Sequence, residues 1–206
     1  MSKSAVIIKG DGTGPELVNA MVHVLQECNS KIKLIPCEAG SEWWTKSGGN
    51  SYISDEVWKL LEDSDACFKG PTTTIPTPNA PRSVAVSIRQ RFNLYANVRP
   101  IKTYKNSSNQ LDFICIREAT EGLYSGIEFK IGNDAAIAVR KITRKSCENV
   151  VRHGFKVATE MKFKKIYVIT KRNILKETDG IFWTAVQNIQ SEFNEISVEE
   201  YYIDNM

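Results

Sequence analysis

The sequence predicts an α/β fold built from two layers, and two features of the chain carry this prediction. From the N-terminus to Val98, short apolar runs alternate with helical patterns, which is typical of a wound βα layer. After Val98, strand-like runs follow one another with little helix between them, as in a mixed layer. With 206 residues, 42% of them hydrophobic, the chain can bury a sizeable core in one large domain or two small ones.

The first layer begins with the strand Ala5–Ile8, which is a continuous apolar run and is followed by a glycine-rich turn. Pro15 is a preferred first helical residue, and the helix after it carries an apolar stripe that includes Leu17 and Val24. The other predicted elements of this layer are a strand at Ile32–Cys37, a helix capped by Ser54, a strand at Ala66–Phe68, a helix from Arg82 to Phe92 and a strand at Leu94–Val98.

The second layer opens with three consecutive strand-like runs and then returns to alternating helices and strands. Its longest helix carries Phe155 and Ala158 on an apolar face. The change of pattern at Val98–Ile101 predicts a boundary between a first domain at 1–98 and a second at 99–206. The predicted elements are strands at Leu111–Ile116, Tyr124–Phe129 and Ala135–Lys141, a helix at Arg144–Met161, a strand at Lys165–Thr170, a helix at Thr178–Ile189 and a strand at Ile196–Ile203.

Composition argues against several other classes of protein. The formal net charge is +3 and scattered, so we expect no nucleic-acid partner. No apolar run approaches the ~20 residues of a membrane helix, and the first apolar run is too short for a signal peptide. The five cysteines are widely spaced and the two histidines lie far apart, which argues against a disulfide framework and a zinc site. We therefore expect a cytoplasmic protein with reduced cysteines and no membrane partner.

The glycine-rich turn at Gly10–Gly14 permits two interpretations. A strand, the letters GDGTG and a helix resemble half of a dinucleotide-binding fingerprint, and Glu38 follows the next strand where a ribose ligand is expected. However, the third glycine of that fingerprint is displaced, and Pro15 occupies the start of the helix. The alternative is a purely structural turn.

Arginines recur along the middle of the chain and form a candidate anion site. Arg89 lies in a predicted helix, Arg99 follows a strand, and Arg117 ends an apolar strand. Guanidinium groups bind carboxylates through two parallel hydrogen bonds, so several of them in one cleft suit a polycarboxylate. The alternative is that they are ordinary solvated charges.

Tyr124 and Lys171 lie at strand edges and are candidates for proton transfer. A tyrosine there can deliver a proton, and a lysine can accept one where desolvation lowers its pKa. Because surface lysines far outnumber catalytic ones, a plain surface lysine is the alternative.

Five motifs follow one another along the chain, at residues 10–16 (GDGTGPE), 69–74 (KGPTTT), 94–100 (LYANVRP), 116–128 (IREATEGLYSGIE) and 141–144 (KITR). In this order the motifs resemble the β-decarboxylating dehydrogenase family, which includes isocitrate, homoisocitrate and 3-isopropylmalate dehydrogenases. The resemblance covers the whole chain and argues against the dinucleotide interpretation of the glycine turn. It implies an incomplete large α/β domain at 1–98 and a smaller α/β dimerisation domain at 99–206.

The resemblance also implies which residues bind and which react. In the family, the catalytic lysine and the metal-binding aspartate act across the dimer interface, in the neighbour's site. The residues that it implies are Ser83, Arg89, Arg99 and Arg117 for substrate binding, Tyr124 as proton donor, Lys171 as catalytic lysine, Thr73 and Thr74 near substrate and nicotinamide, and Asp204 as a metal ligand.

The implied reaction is the oxidative decarboxylation of a 2-hydroxy polycarboxylate with NAD or NADP and with Mg²⁺ or Mn²⁺. In the family, lysine accepts the hydroxyl proton as hydride leaves, the metal stabilises the enolate left by CO₂, and tyrosine protonates it. Ser83 favours a polar third substituent, so isocitrate is the first choice and homoisocitrate the second. Ala85, Ala119 and the proline-rich stretch Pro76–Pro81 depart from the family pattern.

The resemblance implies that the family chain continues beyond the position of Met206, with two further metal-binding aspartates and the main adenosine-binding loop. We therefore expect a homodimer or a partner chain that supplies this part. The alternative is a non-catalytic truncated paralogue or subunit that binds carboxylates or assembles with a full-length partner.

Overall fold

The computed structural model describes residues 3–77 and 79–205, and its helices and strands confirm the α/β class. The chain divides into two compact units, one that ends at Ile88 and one that begins at Arg89. Among the described residues, none of the helices is both long enough and apolar enough to cross a membrane.

The elements of the first unit, in chain order, are β1 (Ser4–Ile8), α1 (Gly14–Glu27), β2 (Lys33–Cys37), α2 (Ser41–Ser47), α3 (Asp55–Glu62), β3 (Ala66–Lys69) and α4 (Val84–Arg91), which runs across the division. The three strands form a parallel sheet in the order β2-β1-β3. β1 is the central strand, and its apolar run from Val6 to Ile8 is at most 2% exposed, as expected for a strand buried on both faces. The predicted cap of α3 is confirmed, since the Ser54 hydroxyl accepts a hydrogen bond from the N–H of Val57 at 3.2 Å.

Two features of the first unit differ from the sequence prediction. Helix α2 was not predicted, because seven residues are too few to show a helical period. The apolar stripe of α1 faces the core only in part: Met21 and Leu25 are half-buried, Leu17 and Val24 are 55% and 58% exposed, and Val18 beside them is fully buried. The residues of the helix that are buried are Gly14 and Val18, and Leu17 and Val24 remain on the surface.

The elements of the second unit after α4 are β4 (Ala96–Lys102), β5 (Asp112–Glu118), β6 (Gly122–Ile131), β7 (Ala135–Lys141), α5 (Arg144–Glu160), β8 (Lys165–Thr170), α6 (Lys176–Gln190), β9 (Ser197–Tyr202) and a short 3₁₀ turn (Ile203–Asn205). β4 pairs with β5 and β6 with β7 in antiparallel fashion, and β8 pairs with β9 in parallel. Helices α5 and α6 form the core against β8, with Phe155, Ala158 and Val186 at most 4% exposed. The apolar face predicted for α5 is therefore confirmed.

The bounds predicted for β4 and β5 are wrong. β4 continues through Arg99 and Pro100, across the predicted domain boundary, and ends at Lys102. Proline is tolerated there because, among the described residues, β4 pairs with β5 alone and is an edge strand of its sheet. β5 likewise extends to Glu118, so Arg117 lies inside the strand. The assignment of the two sequence halves to two domains stays a prediction.

Candidate functional site

The loop after β3 carries Thr73 and Thr74, the residues predicted to lie near the nicotinamide. Both side chains are exposed, whereas the backbone of the loop is hydrogen-bonded to buried side chains. The N–H of Thr73 donates to Oδ2 of Asp11 at 2.7 Å, and the N–H of Ile75 donates to Oη of Tyr52 at 3.0 Å. Asp11 and Tyr52 are 4% and 1% exposed. The loop therefore presents two hydroxyl groups from a restrained backbone.

Ser83 lies immediately before α4 and caps the N-terminus of that helix. Its hydroxyl accepts a hydrogen bond from the N–H of Val86 at 3.3 Å, and the residue is half-buried. A hydroxyl that accepts such a bond still has its own proton to donate. Capping therefore leaves Ser83 able to donate a hydrogen bond to a polar ligand.

Tyr124, Arg89 and Arg117 form one group in the second unit, which we call the guanidinium–tyrosine group. Cζ of Arg89 lies 4.9 Å and Cζ of Arg117 lies 6.0 Å from the centroid of the Tyr124 ring, both within cation–π range. Nη1 of Arg89 also donates to the carbonyl oxygen of Ala119 at 3.2 Å. Arg117 and Tyr124 are exposed, so the group opens to solvent. The structure thus brings two of the predicted carboxylate-binding residues beside the predicted proton donor.

The turn between β5 and β6 is braced by residues to which sequence reasoning gave no role. Nε2 of Gln90 donates to the carbonyl oxygen of Tyr124 at 3.1 Å. The carboxylate of Glu118 accepts two N–H groups of the turn at 2.8 and 3.0 Å, and that of Glu121 accepts the N–H of Thr143 at 2.7 Å. Acidic residues directly after an apolar strand could have been recognised as turn anchors. Gln90 carries no such sequence signal.

Arg99 shares a sheet face with Arg117. The register of β4 and β5 places Asn97 opposite Arg117, and alternate residues of one strand point to the same face. Nε of Arg99 donates to Oδ1 of Asn97 at 2.8 Å, and the Arg99 side chain is exposed. The guanidinium groups of both arginines therefore lie on one face of this two-stranded sheet.

Lys171 and Asp204 follow the neighbouring parallel strands β8 and β9, and their side chains form an ion pair. The N–H of Lys171 donates to Oδ2 of Asp179 at 2.6 Å, and Nη1 of Arg140 donates to Oδ1 of Asp179 at 2.6 Å. Asp179, 4% exposed, is thus a buried support for the lysine that sequence reasoning missed. In the part of the chain that the structure describes, no hydrogen bond, ion pair or ring contact joins this pair to Tyr124.

The residues around Asp204 do not form a complete metal site. Within residues 3–77 and 79–205, no group of three or more histidine, cysteine or acidic side chains could hold a metal ion. Magnesium prefers about six oxygen ligands, whereas Asp204 offers one carboxylate, and that carboxylate is paired with Lys171. The described residues alone therefore do not fit the metal that the motifs imply.

Comparison with known proteins finds one family. A family model described as isocitrate/isopropylmalate dehydrogenase matches residues 4–206. The 3-isopropylmalate/3-methylmalate dehydrogenase of Methanocaldococcus jannaschii is 35% identical over 207 residues, which cover 97% of this chain and 60% of that protein. The NADP isocitrate dehydrogenase of Rickettsia bellii is 34% identical over 202 residues, which cover 96% of this chain and 41% of that protein.

The solved structures agree with the sequence relatives. The crystal structure of isocitrate dehydrogenase from Methylococcus capsulatus matches with a TM-score of 0.90 at 33% identity, over 98% of this chain and 61% of that one. The predicted isocitrate/isopropylmalate dehydrogenase-like fold is thereby confirmed for the part present. The chain spans about half the length of the curated relatives that it matches.

Proposed function

Because the chain belongs to the isocitrate/isopropylmalate dehydrogenase family, we propose that it supplies the substrate-binding and acid–base residues of an NAD(P)-dependent decarboxylating dehydrogenase. The proposed substrate is a 2-hydroxy polycarboxylate, with isocitrate preferred and homoisocitrate second. One observation carries the proposal: the Tyr124 ring lies within 6.0 Å of two guanidinium groups. A carboxylate bound to these arginines would lie beside the tyrosine hydroxyl.

Each member of the guanidinium–tyrosine group has a proposed role that follows from its chemistry. Arg117, exposed on β5, binds a substrate carboxylate through paired hydrogen bonds, and Arg99 on the same face offers a second such site. Arg89 is a further proposed carboxylate contact, and it also orients the ring, because its guanidinium stacks there while Nη1 donates to the Ala119 carbonyl. Tyr124 then donates a proton to the carbon that loses the carboxylate. Ser83 donates a hydrogen bond to the third substituent of the substrate.

Thr73 and Thr74 are the proposed contacts for NAD or NADP. Their exposed hydroxyls can each donate and accept a hydrogen bond, which suits a carboxamide. When bound, NAD(P)⁺ would accept the two electrons that leave the hydroxyl-bearing carbon. Lys171 is the proposed acceptor of the hydroxyl proton, in the site of a neighbouring subunit. Mg²⁺ or Mn²⁺ is the proposed metal, and most of its ligands would lie outside the described residues.

A second candidate function is a subunit that requires a partner chain for activity. Within residues 3–77 and 79–205, strand β3 pairs with β1 on one side only, and Phe68 on β3 is 42% exposed. Leu17 and Val24 on α1 are more than half exposed. An open edge and an apolar stripe are features that further polypeptide covers in complete proteins. This candidate places the chain in a complex, either as a homodimer or with a longer partner.

The test combines this chain with the C-terminal portion of a full-length relative and measures NAD(P)H formation. Isocitrate, homoisocitrate and 3-isopropylmalate are supplied in turn, with Mg²⁺ or Mn²⁺. We expect NAD(P)H formation with isocitrate. This activity should be lost when the chain in the same combination carries Tyr124→Phe. No rate with any of the three acids would contradict the catalytic proposal. Calorimetric binding of isocitrate without turnover would instead support the subunit candidate.

A further inference from the structure

We infer that Asp11 is a positioning residue, whose buried carboxylate holds the backbone of Thr73 and so sets the direction of the Thr73 and Thr74 hydroxyls. The inference rests on the proposed function for the statement that these hydroxyls meet the cofactor. The restraint itself rests on geometry within the first unit alone.

The carboxylate of Asp11 joins two segments that are distant in sequence. Oδ2 accepts the N–H of Thr73 at 2.7 Å and the N–H of Ser41 at 3.2 Å, while Oδ1 accepts the N–H of Glu42 at 2.9 Å. The residue is 4% exposed, so water cannot readily replace these bonds. The same carboxylate therefore anchors the first turn of α2 and the loop after β3.

The backbone around Asp11 adds a further link to the same loop. Its N–H donates to the carbonyl oxygen of Pro71 at 2.8 Å, two residues before Thr73. On the far side of Thr73, the N–H of Ile75 donates to Oη of Tyr52 at 3.0 Å. Tyr52 in turn accepts the N–H of Gly40 at its carbonyl oxygen at 2.9 Å. The loop is thus held before, at and after Thr73.

Because Gly40 has no side chain, the Asp11 carboxylate can occupy the space next to it. A Cβ on Gly40 would lie 2.5 Å from Oδ2 and 2.7 Å from Oδ1 of Asp11, which is closer than real Cβ contacts. The φ angle of Gly40 is +125°, a conformation that other residues rarely adopt. The glycine and the acid are therefore required together at this position.

An amide cannot replace this carboxylate without loss. Three N–H donors converge on two oxygens, and an ionised carboxyl group offers acceptors only. In Asp11→Asn, either orientation of the amide turns an NH₂ group toward at least one of these N–H donors. The bond to Thr73 is kept only if the amide oxygen takes the place of Oδ2, and then the bond to Glu42 is lost.

Amide hydrogen exchange measured by NMR on the 206-residue chain tests the restraint. In the wild type we expect the Thr73 N–H to exchange at least about tenfold more slowly than the Thr74 N–H. The Thr74 N–H makes no hydrogen bond among the described residues. In Asp11→Ala, which removes both acceptor oxygens, this difference should shrink at least about threefold, whereas Asp11→Asn, whose amide oxygen can keep the bond to Thr73, should shrink it less. The matched control is Asp65→Ala, which removes a carboxylate that accepts the N–H of Ser4 elsewhere in the first unit, belongs to no proposed site and should leave Thr73 unchanged. Equal exchange at Thr73 and Thr74 in the wild type would overturn the inference even if the variant fails to fold.

A titration with NADP⁺ and with NAD⁺ of the chain combined with the C-terminal portion of a full-length relative, followed by the Thr73 and Thr74 resonances, tests the positioning role. We expect Asp11→Ala to weaken binding about tenfold, whereas Asp65→Ala leaves it unchanged. Unchanged affinity in a folded Asp11→Ala variant whose Thr73 N–H has been released would overturn the positioning role. A wild type that binds neither cofactor would contradict the proposed cofactor contact, and the exchange measurement would then decide the restraint by itself.

Discussion

The guanidinium of Arg89 stacks on the ring of Tyr124, with Cζ 4.9 Å from the ring centroid. The same guanidinium donates from Nη1 to the carbonyl oxygen of Ala119, at the turn that leads to the tyrosine. Arg89 is therefore bound to the backbone of the turn and to the ring that the turn carries. Arg117 approaches the ring from β5 without a backbone bond of this kind among the described residues, so it is better placed to engage a ligand.

Arg117→Lys is expected to weaken the binding of isocitrate to the chain. Lysine keeps the charge but loses the planar fork that binds a carboxylate through two bonds, which corresponds to about a tenfold loss of affinity. Isothermal titration calorimetry measures the effect. Arg152→Lys is the matched control, since Arg152 pairs with Glu192 on the surface and belongs to no proposed site. Equal losses in the two variants would contradict a substrate role for Arg117.

Tyr124→Phe is expected to separate binding from catalysis in the reconstituted enzyme. Phenylalanine keeps the ring that Arg89 stacks on but has no proton to deliver, so kcat should fall about 10²–10⁴-fold with little change in KM. Steady-state NAD(P)H formation provides the measurement. The control is Tyr104→Phe, because Tyr104 is 90% exposed and should tolerate the change. A variant with normal kcat would rule out Tyr124 as the proton donor.

Mixing two inactive variants tests whether Lys171 serves the site of a neighbouring subunit. A mixed dimer contains one Tyr124→Phe chain and one Lys171→Met chain. If Lys171 serves the neighbouring site, one of the two sites of this dimer combines the intact tyrosine of one chain with the intact lysine of the other. Random pairing makes half of the dimers mixed, so the mixture should recover about one quarter of the wild-type rate. Recovery is absent if both residues act within one subunit. A mixture as inactive as its components would thus contradict the shared site.

Glu200→Gln is expected to lower stability at neutral pH and much less in acid. The Arg172 guanidinium, which donates at 2.9 and 2.5 Å, is the larger cause that holds the pKa of Glu200 below its usual value, and the Thr170 hydroxyl also contributes. A carboxyl group with a lowered folded-state pKa stabilises the protein above its unfolded pKa, and this contribution is lost as the pH falls through the folded value.

Urea unfolding at neutral pH and at about pH 2 measures the free energy of unfolding of the wild type and of Glu200→Gln. We expect the variant to be less stable by about 1 kcal/mol at neutral pH. Glu192→Gln is the control, because its partner Arg152 is exposed and surface pairs contribute little. The same loss for Glu200→Gln at both pH values would show that the charge of Glu200 is not responsible.

The sequence pattern predicted much of the fold because β1 and the long helix α5 carry uninterrupted apolar patterns. Val6 to Ile8 and Phe155 are buried as such patterns require. It could not predict α2, whose seven residues span too few turns, or the passage of β4 through Pro100, which depends on that strand having a free edge. The sequence pattern also could not predict that Leu17 and Val24 are exposed, since an apolar stripe does not reveal which surface covers it.

For the candidate site, the residue types and their order were determined by the sequence by itself: two threonines, a serine, three arginines, a tyrosine, a lysine and an aspartate. Only the tertiary structure decided that Arg89 and Arg117 meet at Tyr124, and that Lys171 pairs with Asp204 away from them. It also gave Asp11 its role, because its partners at Ser41 and Thr73 lie 30 and 62 positions away. Hydrogen bonds and ion pairs depend on distances of a few ångströms between atoms, and strand pairing and packing set those distances between residues far apart in sequence.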